Sequence, residues 1–126
     1  MVDWFSHLSP VRSLSLAQGL YYVVTGIWPL LSIRTFMKVT GPKTDIWLVK
    51  TVGVLIAVVG GVFLLSGSLG RVPVEVVALA VGCAVGLTAI DVWYVARRVI
   101  APIYLLDAAA EVALIAAWAT ALTSRA

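Results

Sequence analysis

Residues 74 to 96 read VEVVALAVGCAVGLTAIDVWYVA, a long stretch with few charged side chains. Only Glu75 and Asp91 carry charge in it, and the other side chains are mostly apolar. An α-helix rises about 1.5 Å per residue, so about 20 residues cross a hydrocarbon core of about 30 Å. The stretch is therefore predicted to be a transmembrane helix.

Three further stretches have the same length and the same apolar character. Short connections join all four, so neighbouring helices are expected to run antiparallel. We expect an all-α fold, an integral membrane four-helix bundle with antiparallel up-down topology, forming one domain over residues 1–126. The predicted spans are residues 14–33, 46–65, 74–96 and 103–122.

Composition supports a membrane protein. Hydrophobic residues make up 62% of the chain and charged residues 12%, whereas soluble domains are about 25% charged. The net charge of +3 comes from basic residues scattered over predicted helix ends, which is a membrane-topology pattern rather than a nucleic-acid signal. The expected partner is the lipid bilayer, and no nucleic acid is expected.

Residues 1–13 (MVDWFSHLSPVRS) are expected to be retained, because they lack the basic segment and apolar core of a signal peptide. They are predicted to form a short segment on the bilayer surface, which Pro10 would end. Its apolar face would consist of Val2, Trp4, Phe5 and Leu8.

Basic residues predict the orientation of the chain. Loop one (residues 34–45) and loop three (residues 97–102) together hold five basic residues, against three on the opposite side of the membrane. These two loops are therefore expected in the cytoplasm and both termini outside. The five, Arg34, Lys38, Lys43, Arg97 and Arg98, could also bind lipid headgroups.

Four charged residues lie inside the predicted spans, where charge is costly and usually functional. Asp107 and Glu111 share a helix face because they are four residues apart. Lys50, Asp91 and Asp107 are predicted at similar depth, with Glu111 about one turn deeper. A polar stripe on the first span completes a predicted intramembrane pocket of Lys50, Asp91, Asp107, Glu111, Gln18, Tyr22 and Thr25.

Three interpretations of this pocket stay open. Asp91 could pair with Arg98 or Lys50 and simply hold helices together. The acids could instead line a ligand or ion pocket, or a proton path. With one base against three acids, one carboxyl is expected to hold a proton at neutral pH, and Glu111 is the candidate because it is deepest.

Small residues predict helix-packing or partner faces. Ala78, Gly82 and Gly86 form a ladder nearly opposite Asp91 on the third span, and Gly60 and Gly61 lie on the second. Small-residue ladders allow close helix approach in lipid. If Asp91 points inward, the ladder looks outward to a partner or lipid; alternatively, it packs within the hairpin of the last two spans.

Catalytic and metal-binding motifs are not recognisable. The sequence has no HExxH, no CxxC and no Ser–His–Asp set. Cys83 lies mid-span and is expected to be inert. No catalysis, metal or other cofactor is therefore expected.

Three motifs resemble those of small bacterial four-helix proteins: GLYY at 19–22, GIWP at 26–29 and TGPKTDIWLV at 40–49. The layout of the chain resembles the DoxX-like group, whose glycine-rich second helix is matched here by Gly60-Gly61. The resemblance implies a bacterial inner-membrane protein and assigns no functional residue. We expect a non-catalytic interaction or accessory subunit that binds lipid or a larger membrane complex, such as a respiratory or photosynthetic one, or its own copies. The alternative is a small-molecule or ion binding or transport protein with a carboxylate-lined pocket, with or without proton coupling.

Overall fold

The computed structural model describes the backbone of residues 2–123 and the side chains of residues 10–123. Within these residues the chain is all-α and contains no strand. Four of its helices are long and apolar enough to cross a membrane, as predicted. The helices are α1 (Val2–Leu31), α2 (Ile33–Thr40), α3 (Ile46–Leu69), α4 (Val74–Ala96) and α5 (Tyr104–Thr123).

The first helix is longer than predicted. It begins at Val2 and continues through Pro10, so the prediction that Pro10 ends a separate segment is wrong. A proline inside a helix removes one backbone hydrogen bond and can kink the helix without ending it. The part of α1 that qualifies as a membrane span begins at Pro10. The surface face predicted at residues 2–8 lies outside the described side chains.

Loop one contains the short helix α2, which the sequence pattern did not predict. Ser32 caps it, since its hydroxyl accepts a hydrogen bond from the Thr35 backbone N–H at 3.3 Å. Phe36 packs edge-on against Trp28 of α1, with ring centroids 5.3 Å apart. Eight residues are too few to give a reliable helical period.

Glycines bring α1 and α3 into backbone contact. A Cβ at Gly60 would lie 2.7 Å from the Gly19 carbonyl oxygen, and one at Gly26 would lie 2.6 Å from that of Gly53. No real Cβ tolerates such distances, so the glycines permit this approach. Gly19 lies against Gly60, and Gly26 lies against Gly53. Residue numbers therefore rise along α1 where they fall along α3, so the two helices run antiparallel.

The predicted packing faces are only partly correct. Gly60 packs against α1, but nothing lies within 4 Å of a Cβ built at Gly61, Gly82 or Gly86. Ala78 is exposed as well. Successive helical residues point about 100° apart, so Gly60 and Gly61 cannot both face α1. The ladder therefore looks outward, and the prediction that it packs within the hairpin is wrong.

The remaining helices complete the core around α1. Helix α4 packs mainly against α5, and α1 contacts both of them besides α3. Loops one and three meet at one end of the helices, where the Lys43 ammonium lies 5.2 Å from the centre of the Tyr104 ring. This contact places both loops at the same end of the molecule.

Candidate functional site

Three carboxyl groups meet between α4 and α5. Asp91 of α4 is 4% exposed, and Glu111 of α5 is fully buried. Asp107, in the first turn of α5, is partly exposed. The Asp107 carboxyl is close enough to interact with both others. We call Asp91, Asp107 and Glu111 the carboxyl cluster.

Two neighbouring tyrosines of α1 bind this cluster. The Tyr22 hydroxyl donates to Glu111 Oε1 at 2.8 Å, and the Tyr21 hydroxyl donates to Asp107 Oδ1. Asp107 and Glu111 lie one helical turn apart on α5. Two consecutive tyrosines can therefore each reach a different acid on that face.

One oxygen on each of the two buried acids is left without a partner. Asp91 Oδ2 and Glu111 Oε2 accept no hydrogen bond from any side chain or backbone group that the structure describes. A buried unpaired polar atom costs about 1–3 kcal/mol. An ionised carboxylate can only accept hydrogen bonds, whereas a protonated one can also donate. A proton in the cluster would therefore supply a missing donor.

Gln18 and Trp118 lie next to the cluster, on the side away from loops one and three. The Trp118 indole donates to Gln18 Oε1 at 2.8 Å, and Gln18 Nε2 donates to the Ala80 carbonyl at 2.9 Å. Both side chains are fully buried. These bonds join α1, α4 and α5, and the Gln18 amide has a partner on both of its polar atoms.

The polar stripe of α1 continues beyond Gln18. The Ser15 hydroxyl donates to the Phe63 carbonyl of α3 at 2.7 Å, and the Phe63 ring lies 5.8 Å from that of Tyr22. Arg12 donates to the Gly67 carbonyl at 2.7 Å. Here the polar atoms of α1 fasten it to the backbone of α3.

Five of the seven predicted pocket residues are brought together, and two are not. Gln18 and Tyr22 join the three acids. The Thr25 hydroxyl instead donates to the Tyr21 carbonyl of its own helix at 2.8 Å, and Lys50 is exposed on α3. Lys50 misses the cluster because α3 packs mainly against α1, while the acids lie between α4 and α5.

Salt bridging does not explain the cluster. Among residues 10–123, no Lys or Arg lies within 4.0 Å of Asp91, Asp107 or Glu111, and Arg98 is exposed beyond the end of α4. Pairing of Asp91 with Lys50 or Arg98, one of the interpretations left open above, is therefore wrong for the described part of the chain.

Tyr21, Ser15 and Trp118 have roles that the predicted pocket omitted. Tyr21 precedes a predicted pocket residue, and Ser15 lies three residues before Gln18 on the same stripe. Trp118 follows Glu111 by seven residues, which is the same helix face. Spacing along each helix could have found these side chains, but not their partners.

The predicted headgroup-binding residues lie at or near the end formed by loops one and three. Lys43 donates to the Thr40 and Gly41 carbonyls at 3.0 and 3.1 Å, so its ammonium is largely engaged. Arg97 lies over the Trp93 ring at 5.3 Å. Arg34, Lys38 and Arg98 are exposed.

Within the described residues no group of three or more His, Cys, Asp or Glu side chains has an arrangement that could hold a metal ion. Cys83 is a free, half-buried thiol. No protein-family model, curated protein or solved structure matches the chain.

Proposed function

We propose that this multi-pass membrane protein binds or transports a small molecule or ion, and that it binds a proton in the carboxyl cluster as part of this function. The observation that carries the proposal is the pair of buried, partnerless oxygens on Asp91 and Glu111. Intramembrane carboxyl groups that face the interior of a helix bundle commonly mark ion pathways and proton relays. Here Asp91 and Glu111 both interact with Asp107 and lack a described basic partner.

A proton suits the cluster better than a larger ligand. Three close carboxylates, all ionised in a medium of low dielectric, would repel one another strongly. One shared proton lowers that repulsion and lets one carboxyl donate to another. Tyr22 already satisfies Glu111 Oε1, so only the second oxygen of Glu111 needs a donor.

Infrared spectroscopy of the protein in lipid vesicles tests this proposal. We expect a carboxylic-acid C=O band at neutral pH that disappears in Glu111→Gln. Glu75→Gln is the matched control, because Glu75 is an exposed acid in the first turn of α4. Its spectrum should keep the band. A wild-type spectrum without the band would contradict the proposal, and a band that survives Glu111→Gln would contradict the assignment of the proton to Glu111.

A second candidate function, an accessory subunit, is supported by the outward ladder of Ala78, Gly82 and Gly86. Such a surface allows close approach by a helix of another subunit, of a second copy, or of a respiratory or photosynthetic complex, and it can equally face lipid. Native mass spectrometry after mild detergent extraction tests this role. A large complex that is lost in Gly82→Leu supports it, and a monomer in both proteins contradicts it.

We further propose a bacterial inner-membrane location, with loops one and three cytoplasmic and both termini outside. The excess of basic residues in these two loops supports this orientation. Their contact at one end of the helices is consistent with it. Membership of the DoxX-like group stays a prediction from the layout and from Gly60-Gly61.

A further inference from the structure

We infer that the carboxyl cluster exchanges protons with water at the end formed by loops one and three, and that Gln18 and Trp118 close the route to the opposite end. The inference rests on the proposed function and adds the direction of access. It makes the cluster a proton site with one entrance rather than a channel.

Asp107 and Tyr21 form the open side. Both are partly exposed, and the hydroxyl of Tyr21 donates to the carboxyl of Asp107. Asp107 lies in the first turn of α5, directly after loop three. Its carboxyl also interacts with Asp91 and Glu111. A proton that reaches Asp107 from this end therefore has a titratable neighbour to receive it.

Gln18 and Trp118 form the closed side. A neutral amide and an indole do not ionise near neutral pH, so neither side chain can take up and release a proton. Each is fully buried, and their mutual bond of 2.8 Å leaves the Gln18 carbonyl oxygen occupied. Beyond them the Ser15 hydroxyl is committed to the Phe63 carbonyl.

The other titratable groups that face the cluster do not bypass this closure. Besides Tyr21 on the open side, they are Tyr22 of α1 and the Cys83 thiol of α4, which interacts electrostatically with Glu111 and Tyr22. Among the described residues, α3 contributes no ionisable group to the cluster. The series of titratable groups along the proton path therefore ends at Glu111 and its two immediate neighbours, Tyr22 and Cys83.

Side-specific chemical labelling tests the entrance. Right-side-out and inside-out vesicles are treated with a membrane-impermeant, water-soluble carbodiimide and an amine, and modified residues are located by peptide mass spectrometry. A cysteine at Thr44, an exposed residue of loop one, reports which vesicles present that end. We expect Asp107 to be modified only in those vesicles. Equal modification in both orientations, or only from the other end, would overturn the inference.

Proton leakage tests the closure. Vesicles with trapped pH-sensitive dye should hold an imposed pH gradient with the wild-type protein and with Trp118→Phe, which keeps an aromatic ring in place. Trp118→Ala opens a space lined by Gln18, and a polar space of that size admits water. The gradient should then collapse, and it should be restored in Trp118→Ala combined with Glu111→Gln.

The closure would be overturned if the wild type leaked protons, or if Trp118→Ala inserted normally and did not leak. It would also be overturned if adding Glu111→Gln did not reduce the leakage of Trp118→Ala. Trp28→Ala controls for the loss of a large aromatic residue near the end of α1 and should not leak. If Trp118→Ala does not fold, the labelling of the wild type decides. The infrared band reports proton binding separately, so a band without one-sided labelling refutes only this inference.

Discussion

Glu111 is the most deeply buried of the three carboxyl residues. Its side chain is fully buried, and the Tyr22 hydroxyl is the donor to one of its two oxygens. Hydrogen bonds between membrane helices contribute about 0.6 kcal/mol on average, but a stranded buried acceptor costs more than the bond itself contributes. The contribution of Glu111 to stability therefore depends on whether its second oxygen, Oε2, receives a hydrogen bond.

Tyr22→Phe should destabilise the protein by about 1–2 kcal/mol, because it removes the described donor to Glu111 Oε1 and leaves that buried oxygen unpaired. Tyr94→Phe is the control, since Tyr94 is 38% exposed, and it should change stability by less than about 0.5 kcal/mol. Denaturant-driven unfolding in detergent micelles measures both. Equal effects of the two changes would contradict the assigned role of Tyr22.

Lys50 should be dispensable. Sequence spacing predicts that it offsets the acids, so that Asp91→Asn with Asp107→Asn would leave it unpaired. The structure places it on the exposed side of α3, away from them. Lys50→Gln should therefore change the unfolding free energy by less than about 0.5 kcal/mol and leave the infrared band intact. A loss of the band would reinstate Lys50 as a member of the site.

At the scale of elements, α1 has the most varied contacts. Its glycine face packs on α3, and Gln18, Tyr21 and Tyr22 bind α4 and α5. Glycines at 19 and 26 on α1 oppose Gly60 and Gly53 on α3, which repeat at the same interval of seven residues. A seven-residue repeat keeps one face of a helix toward its partner over two turns. Loss of either face would detach α1 from half of the bundle.

Gly60→Ala should destabilise the protein by about 1–3 kcal/mol, because the added Cβ would overlap backbone atoms of α1. Gly82→Ala is the matched control on the outward ladder. It meets nothing within 4 Å and should be neutral, or stabilising by up to about 1 kcal/mol through helix propensity. Thermal unfolding measures the pair, and a larger cost at Gly82 would show that the ladder is covered by a partner.

For the whole molecule, the contact of loops one and three makes the orientation testable with two cysteines. Thr44 and Ser68 are exposed on loop one and at the end of α3. Thr40 of the same loop is unsuitable as a probe, because it is buried and its hydroxyl donates to the Phe36 carbonyl. In whole cells carrying Cys83→Ala, an impermeant thiol reagent should label Ser68→Cys and spare Thr44→Cys. The reverse pattern would invert the proposed topology.

Sequence patterns predicted the four spans and the helix faces that carry the acids. Both depend on apolar content and on the 3.6-residue period, which are local to each segment. The bounds of the third span, Val74–Ala96, are as predicted. The extension of α1 through Pro10 and the short helix α2 were missed, because helix ends and eight-residue helices have weak local signals.

Spacing along each helix is enough to place Asp107 and Glu111 on one face, and Ala78, Gly82 and Gly86 opposite Asp91. Which of these faces meet is seen only in the packed bundle. Tyr22 and Glu111 are 89 positions apart, and Lys50 misses the acids because the glycine contacts direct α3 to α1. A helical period fixes the relative directions of side chains on one helix, whereas pairing between helices depends on packing over the whole bundle.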